Sequence, residues 1–329
     1  MSLINRLLKA NPSAQVSDML TGYFVIPSAK ESFVPDPGTR GLTAGGDTGT
    51  QSNVIDYVDI TTTGNATDFG DLTAARSSMN QGSVASTTRG LFAGGYTNTN
   101  TNIIDYVTIA ATGNATDFGD LTTTASQPGS HSNRTRGLRL GGGGAIQNTI
   151  DYVTIAATGN AIDFGDLTQS RASHGVGSPT RAIAIAGSDG VGTPLNTIDY
   201  VEIATLGNAT DFGDVVRYAG NCGTGSSNTR GVIQAGFLFS TSAISTAMDY
   251  ITHASTGNST TFGEGTISRQ NQNGTSTNIR AIFMGGRVGY INVIDYVTIA
   301  STGNAVDFGD LTQSTNAPGA TSNGHGGLH

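Results

Sequence analysis

The chain has no tryptophan, a single cysteine, few charges and no long hydrophobic run, and each scarcity closes off a class. With Cys222 alone, neither an intrachain disulfide framework nor a multi-cysteine metal site can form. No stretch approaches the ~20 apolar residues of a membrane-spanning helix, so no membrane span is expected. Residues 1–30 lack a continuous apolar region followed by a small-residue cleavage site. No secretory signal is therefore expected, and synthesis in a cytosol is. Charged residues make up only 12% of the chain and the net charge is −8, which argues against nucleic acid, whose phosphates call for a basic face.

What remains is rich in Gly (47 of 329 residues), Ser, Thr and Asn. Such a composition can mean low complexity. Here 36% of residues are apolar and fall in short β-branched clusters, enough for a core of all-β type.

An internal repeat organises the chain. Ile-Asp-Tyr stands at Ile55-Asp56-Tyr57, Ile104-Asp105-Tyr106, Ile150-Asp151-Tyr152, Ile198-Asp199-Tyr200 and Ile294-Asp295-Tyr296, with Met248-Asp249-Tyr250 as an altered copy. The steps between these Asp residues are 49, 46, 48, 50 and 46. An Asp-Phe-Gly-Asp element follows each triplet, at Asp68, Asp117, Asp163, Asp211 and Asp307, and becomes Thr261-Phe262-Gly263-Glu264 in the fifth copy. Ahead of each triplet an Arg opens a short apolar run: Arg40, Arg89, Arg136, Arg181, Arg230 and Arg280. Three markers sharing one period through six copies define six units.

In the second unit, strand a is read at residues 82–86, b at 89–95, c at 103–110 and d at 116–121. Strand c is apolar on both faces, with Ile104 and Tyr106 on one and Ile103, Val107 and Ile109 on the other. Such a strand must be covered twice. Thr112-Gly113-Asn114-Ala115 has the Gly and Asn of a tight turn. Each unit is thus a four-stranded antiparallel meander that needs a neighbour on each side. A period of 40–50 residues is the propeller range. The expected fold is an all-β, six-bladed β-propeller over residues 39–329, behind a short N-terminal arm over 1–38. The first unit begins at strand b, and Pro318 to His325 has the character of a strand a, so the C-terminal strand is expected to close the ring.

The order of apolar run, Gly-Gly, loop, Tyr-bearing strand, turn and aromatic resembles the kelch repeat. Gly45-Gly46, Gly94-Gly95 and Gly285-Gly286 match its double glycine, Tyr106 its tyrosine, and Phe118 the place where kelch repeats carry Trp. The fuller string Ile-Asp-Tyr-Val-Thr-Ile-Ala-x-Thr-Gly-Asn-Ala-x-Asp-Phe-Gly-Asp-Leu-Thr looks like repeats of virion and tail-fibre-type proteins of marine phages, notably cyanophages. That resemblance implies a kelch-like propeller in a phage structural or adhesive protein of tail, fibre or capsid surface, located in the virion.

Seventeen of the 24 acidic residues are repeat positions, which favours structural roles. Arg89 at the start of b and Asp117 at the start of d should share a rim. A partly buried Arg–carboxylate contact is therefore expected in five units, the fifth lacking its carboxylate. Asp105 is expected near the Gly-Gly loop, accepting backbone N–H groups. No Asp-box (Ser-x-Asp-x-Gly-x-Thr-Trp) of sialidase-type hydrolases is present. A kelch-type copper oxidase would need a Cys–Tyr pair and two His ligands, whereas Cys222 reads as a small buried side chain. The five His, at 131, 174, 253, 325 and 329, never fall at ligand spacing. Calcium would need carboxylates and carbonyls to converge, and no EF-hand-like loop appears. No catalytic residue, cofactor or metal is assigned.

Specificity is read in the loops. The a–b and c–d turns repeat with little change, while the b–c and d–a loops differ from unit to unit. Rigid repeats with divergent loops on one side make a binding surface. Candidate contacts are Tyr96, Phe237, Phe239, Arg287 and Tyr290 in b–c loops. Arg76, Arg171, Arg217, Tyr218 and Arg269 are candidates in d–a segments. Arg76, Arg171 and Arg269 recur in alternate units, as a threefold partner would require. In the arm, Leu3, Ile4, Leu7 and Leu8 form one face of a two-turn helix, expected to anchor the protein to other virion proteins in an oligomeric setting. Partners of the rim are a host-surface glycan or protein. The alternatives are a bacterial carbohydrate- or protein-binding propeller outside any virus, and a propeller hydrolase.

Overall fold

The computed structural model describes residues 38–79, 83–144, 146–190, 193–217 and 219–328, and the chain there is all-β. The anchor residues Leu3, Ile4, Leu7 and Leu8, and Tyr218, lie outside the described residues.

Six antiparallel meanders follow the repeat. In the second unit the strands are Ser83–Ala85 (a), Arg89–Ala93 (b), Ile103–Thr108 (c) and Thr116–Asp120 (d), paired in that order. The b, c and d strands of the first unit are Arg40–Ala44, Val54–Asp59 and Thr67–Asp71. Its strand a is Gly319–Ser322, from the far end of the chain, antiparallel to Arg40–Ala44 with Leu42 opposite Thr321. The pairing expected of the C-terminal strand is therefore present. The third and fourth units share one eight-stranded sheet through a single pair, Ala172 with Gly141.

Core packing bears out the two-faced reading of strand c. Leu42, Ile55 and Phe69 of the first unit are buried with Ala85, Phe92 and Ile109 of the second. Corresponding cores join the second to the third, third to fourth, fourth to fifth and fifth to sixth units. A sixth core puts Val58 and Ile60 of the first unit against Ile282, Ile294 and Phe308 of the sixth. Burying a large aliphatic or aromatic side chain contributes ~1.5–3 kcal/mol. The apolar positions of each sheet therefore stabilise two neighbours at once.

The c–d turn does more than reverse the chain. Gly113 N–H donates to Phe69 O at 2.8 Å, Ala115 N–H to Asp71 O at 2.7 Å, and Asn114 Oδ1 accepts Asp71 N–H at 3.1 Å. The turn of one unit thus satisfies the edge strand of the unit before it, which would otherwise expose unpaired backbone groups. Gly64, Gly159, Gly207, Gly257 and Gly303 make the same bond to Phe308, Phe118, Phe164, Phe212 and Phe262. The Gly of Asp-Phe-Gly-Asp allows this approach. Gly119 has φ of 142°, and a Cβ there would lie 2.6 Å from the Gly159 carbonyl oxygen.

Candidate functional site

The Arg that opens strand b does not pair with the Asp that opens strand d. Strand c lies between them, so two inter-strand spacings, about 10 Å, separate the groups. The guanidinium instead covers the Tyr of strand c, with Arg89 Cζ 4.8 Å from the Tyr106 ring centroid. All six units repeat this cation–π contact. Tyr106 in turn meets Phe118 edge-on at 5.9 Å, again as in every unit. The same Arg Nη1 donates to a carbonyl of the next unit, Arg89 to Ile155 O at 3.1 Å and Arg280 of the sixth to Thr61 O of the first at 2.8 Å. Asp68, Asp117, Asp163, Asp211 and Asp307 are exposed.

The buried ion pairs use the other motif Asp. Arg76 Nη2 reaches Asp105 Oδ2 at 3.0 Å and Arg171 Nη1 reaches Asp199 Oδ2 at 2.8 Å, while Arg269 pairs with Asp295. All six of these side chains are fully buried. Arg76, Arg171 and Arg269 are therefore not contacts for a partner. Each runs from the d–a segment of one unit into the next, where Arg76 also donates to Phe92 O and Ile103 O. Asp105 is not bound to the Gly-Gly loop: it accepts Thr73 N–H at 3.2 Å and Thr73 Oγ1–H at 2.6 Å from the preceding unit. Burial lowers the pKa of Arg76, Arg171 and Arg269, and the facing carboxylate opposes that shift.

Two other candidates are also engaged. Arg217, half-buried, pairs with Asp249 and donates to Thr261 Oγ1. Burial raises the Asp249 pKa, countered by Arg217. Phe237 and Phe239 are half-buried and meet edge-on at 5.4 Å over a small sheet formed by Ala219–Gly220, Phe237–Leu238 and Ala243–Ile244. They brace the fifth unit's long b–c loop.

What the loops do present is Tyr96, Arg287 and Tyr290. Tyr96 exchanges backbone bonds with Ser77, fixing the loop while its ring stands 40% exposed. Arg287 does the same with Gln270 and is exposed. Tyr290 is 42% exposed, and its hydroxyl donates to Asp47 Oδ2 at 3.2 Å, linking the sixth unit's loop to the first unit's. The Tyr290 face, with Asp47 on its hydroxyl and Arg287 bridged to it along the backbone, suits stacking on a sugar ring with hydrogen bonds to its hydroxyls. Asp47 was missed from sequence because it lies outside the repeat markers.

Strand a of every unit contributes to one cavity of about 50 Å³, lined by Ser83, Ser130, Gly175, Thr224, Ser276 and Thr321 among others. His131 and His325 flank it with rings 5.6 Å apart. His131 Nε2 donates to Ser178 O, and burial brings its pKa down to about 4. Burial does the same to His174, also about 4. His253 falls to about 3 through burial and the nearby His131. Cys222 is buried as expected, and burial pushes its thiol up to about 12, which disfavours the thiolate. Among the described residues no group of three or more His, Cys, Asp or Glu is placed to hold a metal. No helix among them is long and apolar enough to cross a membrane.

Compared with known proteins, the chain matches no family model and no curated protein sequence.

Proposed function

We propose that the six meanders form a closed, six-bladed, kelch-like propeller, and that the protein is a non-catalytic structural or adhesive component of a phage particle. Closure is supported by the core and hydrogen bonds that join the sixth unit to the first, and by one cavity lined from all six units. The binding role rests on one observation. The turns that latch unit to unit hardly vary, while the b–c loops, built on the same scaffold, differ in every unit and carry the exposed Tyr96, Arg287 and Tyr290.

In this reading the loops meet a host-surface glycan or a neighbouring virion protein, and residues 1–38 attach the propeller to the particle. The test is a glycan array and a host-cell binding assay with the full chain and the variant Tyr96→Ala/Arg287→Ala/Tyr290→Ala. The expected result is a loss of at least tenfold in binding at unchanged thermal stability. Equal binding by the variant, or turnover of a bound glycan, would overturn the reading. Loss of incorporation into particles on removing residues 1–30 is the outcome expected of the arm.

A further inference from the structure

Five of the six buried motif carboxylates face a guanidinium. The exception is Asp56, which is 3% exposed and forms no ion pair among the described residues. It sits where the sixth unit meets the first.

The junction of the third and fourth units provides a direct comparison. There the d–a segment reads Thr168-Gln169-Ser170-Arg171, against Thr312-Gln313-Ser314-Thr315 at the sixth–first junction. Thr168 and Thr312 bind their carboxylates alike, Thr168 Oγ1 to Asp199 and Thr312 Oγ1 to Asp56, each at 2.8 Å. Gln169 and Gln313 each donate to a hydroxyl, of Thr197 and Ser52. The fourth residue differs. Arg171 supplies a cation to Asp199 and to Ala184 O, whereas Thr315 turns its short hydroxyl onto Gly45 O.

A second difference lies across the strand pair. Ala184 is opposite Asp199, and the corresponding partner of Asp56 is Thr43. Thr43 is 5% exposed and its Oγ1 has no hydrogen-bond partner. A side chain at this position faces the carboxylate: in the third unit it is Arg139, which binds Asp151 directly. This junction therefore lacks a guanidinium, and across the strand pair from Asp56, whose carboxylate takes hydrogen bonds from Thr312, it holds a buried threonine oxygen with no hydrogen-bond partner. Burial raises the Asp56 pKa, as expected of a carboxylate with only a threonine to compensate it.

We propose that this junction binds a small monovalent metal cation, held by the Asp56 carboxylate, Thr43 Oγ1 and the Thr43 main-chain oxygen. The last corresponds to Phe92, Ala184 and Phe283, whose carbonyls accept guanidinium protons at other junctions. An all-oxygen set selects a hard cation. A single positive charge reproduces the neutrality of each Arg–Asp pair, whereas a divalent ion would leave one charge buried and unbalanced.

The experiment measures thermal unfolding of the full chain at constant ionic strength, exchanging tetramethylammonium chloride for sodium or potassium chloride. Wild type is expected to gain roughly 2–4 °C along a saturating curve. Thr43→Val and Asp56→Asn lose that response. Thr315→Arg with Thr43→Ala, which copies the third–fourth junction, becomes insensitive to the cation. In crystals soaked with thallium(I), an anomalous peak is expected between Thr43 and Asp56. Cation-independent unfolding of wild type, a response retained in all three variants, or one elicited by calcium alone would overturn the proposal.

Discussion

Arg139 binds Asp151 Oδ2 through Nε at 3.0 Å and Nη2 at 2.7 Å, from the strand next to the carboxylate's own. At the preceding junction the guanidinium comes instead from the previous unit, Arg76 onto Asp105. The second unit has Ala125 where the first has Arg76, so the cation has changed its point of attachment while the buried pair persists. The site selects for charge balance rather than for one residue's place in the chain.

Arg139→Met should cost roughly 3–5 kcal/mol, because it leaves Asp151 buried without its cation. Adding Asp151→Asn is expected to recover much of that loss. Ala125→Arg in the Arg139→Met background, which restores the arrangement of the first junction, is expected to recover at least half. Urea unfolding midpoints report all three.

The guanidinium over Tyr106 is half-exposed and makes one further bond to the next unit. Arg89→Gln is therefore expected to cost only about 1–2 kcal/mol. A loss as large as that of Arg139→Met would mean that the outer stack carries more stability than its exposure allows.

Gly119→Ala and Gly113→Ala separate backbone strain from close approach. Both positions have φ near 150°, but a Cβ at Gly113 meets nothing within 4 Å, whereas at Gly119 it collides with the Gly159 carbonyl. Gly119→Ala is expected to be the more damaging by ~2 kcal/mol or more, read from chemical denaturation. Equal effects would show that the turn can retreat from its neighbour.

Stability should fall in mild acid. His131 and His174 hold pKa values of about 4 in the folded protein against an ordinary 6.5, because burial disfavours the imidazolium. Between pH 6.5 and 4 the unfolded chain therefore binds the extra protons. The stabilisation is complete above pH 6.5 and is lost as pH drops toward 4, by roughly 3 kcal/mol per histidine. His174→Gln is expected to flatten the dependence of the urea midpoint on pH by its share.

The repeated antiparallel meander was legible because strand c shows both apolar faces in every copy and the markers keep one period. The arginines were not. Sequence separates Arg89 from Arg76 only by loop position, and length along a strand does not reveal that Tyr106 stands between Arg89 and Asp117. The burial of Arg76, Arg171 and Arg269 had one visible signal: each lies five residues beyond the last Asp of Asp-Phe-Gly-Asp or its Glu264 counterpart, a regularity that a drifting loop would not keep. Tyr96, Arg287 and Tyr290 were legible as exposed side chains because nothing in the repeat requires them. Asp47 and Thr43 were not, since a lone Asp or Thr in a Thr-rich chain gains meaning only beside its neighbours.

The strand Gly319–Ser322 lies beside Arg40–Ala44 although some 280 residues separate them along the chain. During synthesis the first sheet must wait, one strand short, until residue 320 has been made. Nascent protein therefore carries an open hydrogen-bonding edge for most of its translation, and a nascent chain beside it on the same message offers an identical strand to fill it. Faster elongation, or a chaperone that shields the early sheet, should lower the yield of strand-exchanged dimers.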